Sequence, residues 1–238
     1  MLRTALANLS PAERLIVALD VDSVEKARAL INVLGRSAGV YKIGHHLLYK
    51  GGIDLARELA SEGKRVFLDA KLHDIPNTVA AGVKAIAEMG AAFVTVHAYP
   101  QTMKAAVEAA ENTGLTVLAV TVLTSMSDDD AHDAGYALPP KDLVFKRTVF
   151  AARNGVPGLV CSAQEVTMIR RSVGEGLLLI TPGVRPAGTS PDDQKRVTTP
   201  ADAIAAGADF IVVGRPITAA SNPKSAANAI IAEIQDGK

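Results

Sequence analysis

Short apolar runs recur along the chain, and each is followed by an alanine-rich segment whose apolar positions fall at helical spacing. The runs predict strands at Leu15–Leu19, Val40–Gly44, Val66–Lys71, Phe93–Ala98, Leu115–Leu123, Gly158–Ala163, Leu177–Pro182 and Phe210–Gly214. The segments between them predict helices over Ser23–Leu34, Ile53–Glu62, Asn77–Met89, Gln101–Asn112, Gln164–Val173 and Pro200–Ala206, with Pro223–Ile234 as the last. Gly35, Gly63, Gly90, Gly114 and Gly207 stand just past such segments, where helices stop. Eight strands alternating with helices over 238 residues predict an α/β fold, one (β/α)8 TIM-barrel domain spanning 1–238. A doubly wound open sheet is the rival architecture, and it normally holds fewer strands.

Two segments are longer than ordinary connections. Thr124 to Pro140 follows the fifth strand and contains Asp128, Asp129 and Asp130. Three adjacent carboxylates do not easily face one ion, so this segment reads as a solvated loop. Gly183 to Thr199 follows the seventh strand and carries Arg185, Gly188, Thr189, Ser190, Gln194, Lys195 and Arg196. Small polar residues suit a lid, and the cations suit an anionic ligand.

Composition narrows the partners. Hydrophobic content of 48% and charged content of 21% suit an ordinary globular chain with ample core. Lys plus Arg equals Asp plus Glu at 25 each, so no global basic field marks nucleic acid as a partner. No apolar run approaches the ~20 residues of a membrane span. Met1 to Ser10 lacks the apolar stretch of a signal peptide, which gives a cytoplasmic expectation. The single Cys161 excludes an internal disulfide framework and lies in an apolar run, as a buried thiol would.

Barrel chemistry collects where strands end and loops begin. Read in order, those ends carry Asp20, Lys42, then Asp69 and Lys71 with Asp74 beyond, His97, Thr124, Arg185 and Arg215. Asp20 alone reads as a cap of the next helix, and Asp74 alone as a helix-start residue favoured by the macrodipole. Lys42 lies on a strand that has no free edge in a barrel, so it is not an edge lysine reaching solvent. Asp69 and Lys71 are two apart and share one face of a regular strand. His45, His46, His73 and His132 show no metal-ligand spacing. Gly214 admits close backbone approach, and Arg215 offers a planar fork of donors; with Arg185 and Gln194 they form a candidate phosphate grip after strands seven and eight.

The segment Asp69-Ala70-Lys71-Leu72-His73-Asp74-Ile75-Pro76-Asn77-Thr78 resembles the D-x-K-x-x-D-I-x-x-T signature of the orotidine 5′-phosphate decarboxylase family. Leu19-Asp20, Tyr41-Lys42-Ile43-Gly44, Val122-Leu123-Thr124-Ser125, Thr181-Pro182-Gly183-Val184-Arg185-Pro186 and Val213-Gly214-Arg215-Pro216-Ile217 resemble its other motifs in order, over nearly the whole chain. The resemblance implies conversion of orotidine 5′-monophosphate to uridine 5′-monophosphate and carbon dioxide, without metal or organic cofactor. It implies Lys71 as the group that stabilises and protonates the C6 carbanion, with Asp69, Lys42 and Asp74 around it. It also implies a homodimer in which Asp74 and Thr78 serve the partner's site. Asp20 and Thr78 would meet the ribose, Thr124 and Ser125 the pyrimidine, and Arg185, Gln194, Gly214 and Arg215 the phosphate. The pattern gives no role to His45 and His46. Two rivals remain at this point: a metal-dependent sugar-phosphate decarboxylase or aldolase on the same barrel, and a non-catalytic nucleotide-binding barrel.

Overall fold

The structure, a computed structural model, describes residues 9–186 and 198–237. Eight parallel strands close into a barrel in sequence order, the last pairing with the first. They are β1 (Leu15–Ala18), β2 (Val40–Gly44), β3 (Val66–Leu72), β4 (Phe93–His97), β5 (Thr116–Val120), β6 (Gly158–Val160), β7 (Leu178–Thr181) and β8 (Phe210–Val213). Around them run α1 (Val24–Leu34), α2 (Ile53–Ser61), α3 (Pro76–Glu88), α4 (Pro100–Ala110), α5 (Asp128–Asp133), α6 (Pro140–Arg153), α7 (Ala163–Val173), α8 (Pro200–Ala205) and α9 (Pro223–Asp236). The closed sheet excludes the open doubly wound alternative.

The helices form for readable reasons. In α1 the Ser23 side chain accepts from the Lys26 N–H, and Ala27, Leu30, Ile31 and Leu34 make one buried face at helical spacing. Gly35, at φ 56°, then ends it in a conformation that a side chain would strain. Prolines open α3 and α4, where their missing N–H has no partner to lose.

Three expectations are corrected. The acidic triplet is not a solvated loop but the first turn of α5. Ser127 Oγ accepts from the Asp130 N–H at 3.2 Å, and Asp130 Oδ2 accepts from the Ser127 N–H at 2.8 Å. This reciprocal cap, at the positive end of the helix dipole, suits carboxylates. The sequence reading also gave no helix to Pro140–Arg153, because Lys141, Asp142, Lys146, Arg147 and Arg153 dilute its apolar pattern; here Arg147 is itself buried. Strands five and six are shorter than expected. β6 stops at Val160 because Ser162 starts a helix cap, with Glu165 Oε2 accepting from the Ser162 N–H at 2.9 Å.

The apolar residues divide into two layers. One lies between barrel and helices. The other fills the barrel interior with Ile16, Ala18, Val40, Phe67, Phe93, Leu118, Leu178, Ile180, Phe210 and Val212. Beneath it the Arg65 guanidinium lies 5.2 Å from the Phe93 ring centroid and 5.5 Å from that of Phe210, closing the N-terminal end of the barrel. Among the described residues no helix is long and apolar enough to cross a membrane.

Candidate active site

The interior alternation that packs the barrel floor continues upward into charge. On β2 the inward series runs from Val40 to Lys42, and on β3 from Phe67 to Asp69. β1 carries Ile16 and Ala18 inward, and Asp20 follows just past its end. Above the floor a cavity of about 420 Å³ opens at the C-terminal ends of the strands. That is within the size range of small-ligand sites. Asp20, Lys42, Asp69 and Lys71 line it together with Thr124, Arg185, Gly214 and Arg215.

The charged groups form a continuous alternating row. Lys71 Nζ donates to Asp69 Oδ1 at 2.8 Å. Lys42 Nζ lies 3.3 Å from Asp69 Oδ2 and 3.6 Å from Asp20 Oδ1. Each carboxylate oxygen of Asp69 therefore faces its own ammonium. Burial pushes the Asp69 carboxyl up, but Lys42 and Lys71, with hydrogen bonds from Lys71 and Thr95, outweigh it and leave it below the usual carboxylate range. Asp69 is thus a fixed anion near neutral pH. Gly44 makes room for this row: a Cβ there would sit 2.9 Å from Lys42 Nζ and 3.3 Å from Asp20 Oδ1. At Gly214, across the β8 end, a Cβ would meet Ala18 at an ordinary 3.6 Å, so this glycine is not needed to clear the row.

The contact between Asp69 and Lys71 arises differently from the regular strand expected. β3 pairs Leu68 with Val94 and next pairs Leu72 with Val96. Three residues, Asp69, Ala70 and Lys71, thus stand opposite one, Thr95. Within this bulge Lys71 adopts φ 48°, a left-handed conformation costing a non-glycine residue about 1–3 kcal/mol. Thr95 fills the gap. Its Oγ1 accepts from the Lys71 N–H at 2.9 Å and donates to Asp69 Oδ1 at 2.8 Å. On the other side His45 Nε2 meets the Ala70 carbonyl at 3.1 Å.

The chain does not bring every expected residue to the cavity. Asp74 is exposed, and among the described residues it has no cationic partner; its Oδ1 accepts from the Ile75 N–H at 2.6 Å. Thr78 and Ser125 are exposed and lie off the cavity wall. Gln194 lies outside the described residues. Sequence reading missed Thr95, although it stands in phase with Phe93 and His97 as a polar residue in an apolar strand. It also missed Arg147, which bonds the Thr121 carbonyl and, at 3.1 Å, the Tyr136 hydroxyl. The Tyr136 and Tyr99 hydroxyls are 2.6 Å apart. His97 ends β4 half-buried, and burial, then His73 and Lys71, hold its imidazole below the ordinary value. Cys161 is buried on the cavity floor, and burial pushes its thiol up, away from nucleophilic use. The two ends of the Gly183–Thr199 segment are tied by a Val184–Thr198 bridge, and the Arg185 N–H donates to the Thr198 carbonyl at 3.0 Å.

The chain is similar to proteins of known kind. A family model described as "Orotidine 5'-phosphate decarboxylase / HUMPS family" matches residues 13–230. An orotidine 5′-phosphate decarboxylase of Afipia carboxidovorans is 61% identical over 225 residues, covering 94% of this chain and 96% of that protein. One from Rhodopseudomonas palustris (strain HaA2) is 56% identical over 235 residues, covering 98% and 100%. The crystal structure of orotidine 5′-phosphate decarboxylase from Lactobacillus acidophilus superposes with a TM-score of 0.81 at 40% identity, covering 92% of this chain and 97% of that one.

Proposed function

We infer the roles of the site residues from one premise: the chain belongs to the orotidine 5′-phosphate decarboxylase / HUMPS family, and its reaction is the decarboxylation of orotidine 5′-monophosphate to uridine 5′-monophosphate and carbon dioxide. This is the step that forms UMP in pyrimidine synthesis.

Breaking the bond from C6 to the carboxylate releases carbon dioxide and leaves an electron pair in an in-plane orbital at C6. The ring π system delocalises that pair poorly. Stabilisation therefore falls to fixed charge beside C6. Lys71 is that charge. Its ammonium favours the developing carbanion, then transfers a proton to C6 to give the product, and solvent restores the proton to the amine. Asp69 holds the ammonium in place and charged. Lys42 balances the second oxygen of Asp69 and ties it to Asp20. The observation that carries this reading is the row of contacts from Lys71 through Asp69 and Lys42 to Asp20, at 2.8, 3.3 and 3.6 Å. A row set by folding needs no reorganisation during the reaction.

The remaining roles combine the cavity lining with the family resemblance, which alone supplies Gln194, Ser125, Asp74 and Thr78. Arg185 and Arg215 grip the phosphate with Gln194, and Gly214 lets the backbone approach it. Asp20 bonds a ribose hydroxyl, while Thr124 and Ser125 read the pyrimidine edge. Phosphate binding remote from C6 supplies binding energy that holds the substrate's C6 against the row already set by folding. Two copies of the chain associate, and Asp74 and Thr78 of each complete the other's site. Ile75, next to Asp74, and Leu123, on the cavity wall, are 67% and 42% exposed, and large exposed apolar side chains suit a subunit contact.

A carbon dioxide release assay with orotidine 5′-monophosphate after exhaustive chelation tests the electrostatic reading. Full activity is expected. Loss of activity that added magnesium restores would instead favour Lewis-acid catalysis on this barrel.

A further inference from the structure

The catalytic lysine sits on a peptide that the barrel ladder does not hold. Three residues of β3 face Thr95 alone, so the peptide joining Ala70 to Lys71 has lost its regular strand partners. Both of its polar ends are gripped by side chains instead. Thr95 Oγ1 accepts the N–H at 2.9 Å from the β4 side, and His45 Nε2 donates to the carbonyl at 3.1 Å from the β2 side. Thr95 is fully buried, and its hydroxyl proton goes to Asp69 Oδ1, the same oxygen that receives Lys71 Nζ. One hydroxyl therefore fixes the backbone of Lys71 and the carboxylate that aims its ammonium.

We propose that Thr95, seconded by His45, is a positioning residue for decarboxylation: it clamps the Ala70–Lys71 peptide in the bulge and so sets where the Lys71 ammonium meets the substrate. This rests on the assignment of Lys71 above. Neither Thr95 nor His45 lines the cavity. Its loss leaves phosphate, ribose and base contacts intact while the ammonium moves relative to C6. A displacement of about 1 Å from the productive position costs a rate on the order of a hundredfold. Valine preserves the volume and branching of Thr95 but can neither accept from Lys71 nor donate to Asp69. Serine keeps both bonds.

The test compares Thr95→Val, Thr95→Ser, His45→Phe and Lys71→Ala in steady-state decarboxylation, with UMP affinity and urea unfolding measured on each. Thr95→Val should lower kcat on the order of a hundredfold, with KM and UMP affinity within about threefold of the parent. Thr95→Ser should restore kcat to within about threefold, and His45→Phe should lose about tenfold in kcat. A merely structural threonine would lower the unfolding midpoint and leave the kcat of the folded fraction unchanged. That outcome overturns the proposal, as does a serine variant as slow as the valine one. Normal turnover by Lys71→Ala would overturn the assignment of Lys71 itself. An inactive Lys71→Ala beside a normal Thr95→Val would sink the clamp alone.

Discussion

Gly44 lacks a side chain where the Lys42 ammonium lies, and its φ of −101° is open to any residue. Gly44→Ala therefore adds no backbone strain and acts by displacing a charge. We expect a fall in kcat/KM of about tenfold, with unfolding free energy changed by less than about 1 kcal/mol. Steady-state kinetics and urea unfolding on the same preparation check both halves. Asp69 behaves as a group with a depressed folded-state pKa. Its contribution to stability is fully present above the ordinary carboxylate range and disappears as pH falls through the lower folded value. At this scale the sequence was partly legible. Asp20, Lys42, Asp69 and Lys71 could be picked out because ionisable residues at consecutive strand ends have no packing reason to be there. Thr95 left only its phase with Phe93 and His97 as a signal, since a threonine suits a strand on propensity alone and its partners come from another strand.

The elements were read best where one face is apolar. α1 and the eight strand positions follow from periodicity, whereas α6 hides because Arg147 is a buried cation on its inward face. The β3 bulge was invisible for a different reason. A strand that alternates regularly and one that arcs over a hydroxyl can share the same sequence pattern, and the register is set by β4. Long-range polar ties are equally hidden. Arg170 on α7 donates to the carbonyls of Leu177 and Gly207 and to Asp209 Oδ2 at 2.6 Å, and Asp209 also accepts the Leu179 N–H at 2.8 Å. These bonds fasten α7 to β7 and to the lead-in of β8, on the face opposite the cavity. Asp209→Ala leaves a buried guanidinium and a buried N–H without that acceptor. It should cost about 3–5 kcal/mol in urea unfolding, with kcat of the folded enzyme unchanged.

The whole molecule brings its charge row to one end of a closed barrel, with an apolar floor beneath it and Arg65 sealing the far side. Barrel closure and strand order follow from the count of strand and helix units. The proposed sharing of sites between two chains does not, because nothing in the spacing of Asp74 and Thr78 says which copy they would serve. Mixing tests it. Subunits carrying Lys71→Ala and subunits carrying Asp74→Ala, each nearly inactive alone, should on random re-pairing recover about a quarter of parental activity. Half the dimers then hold one intact site of two. No recovery would place Asp74 in the service of its own chain. The claim beneath all of this is that a lysine held by fixed carboxylates stabilises the carbanion at C6. The most direct measurement is kcat for Lys71→Ala alongside its affinity for UMP. We predict a loss of at least about a thousandfold in kcat with UMP still bound; turnover near the parental rate would contradict the account.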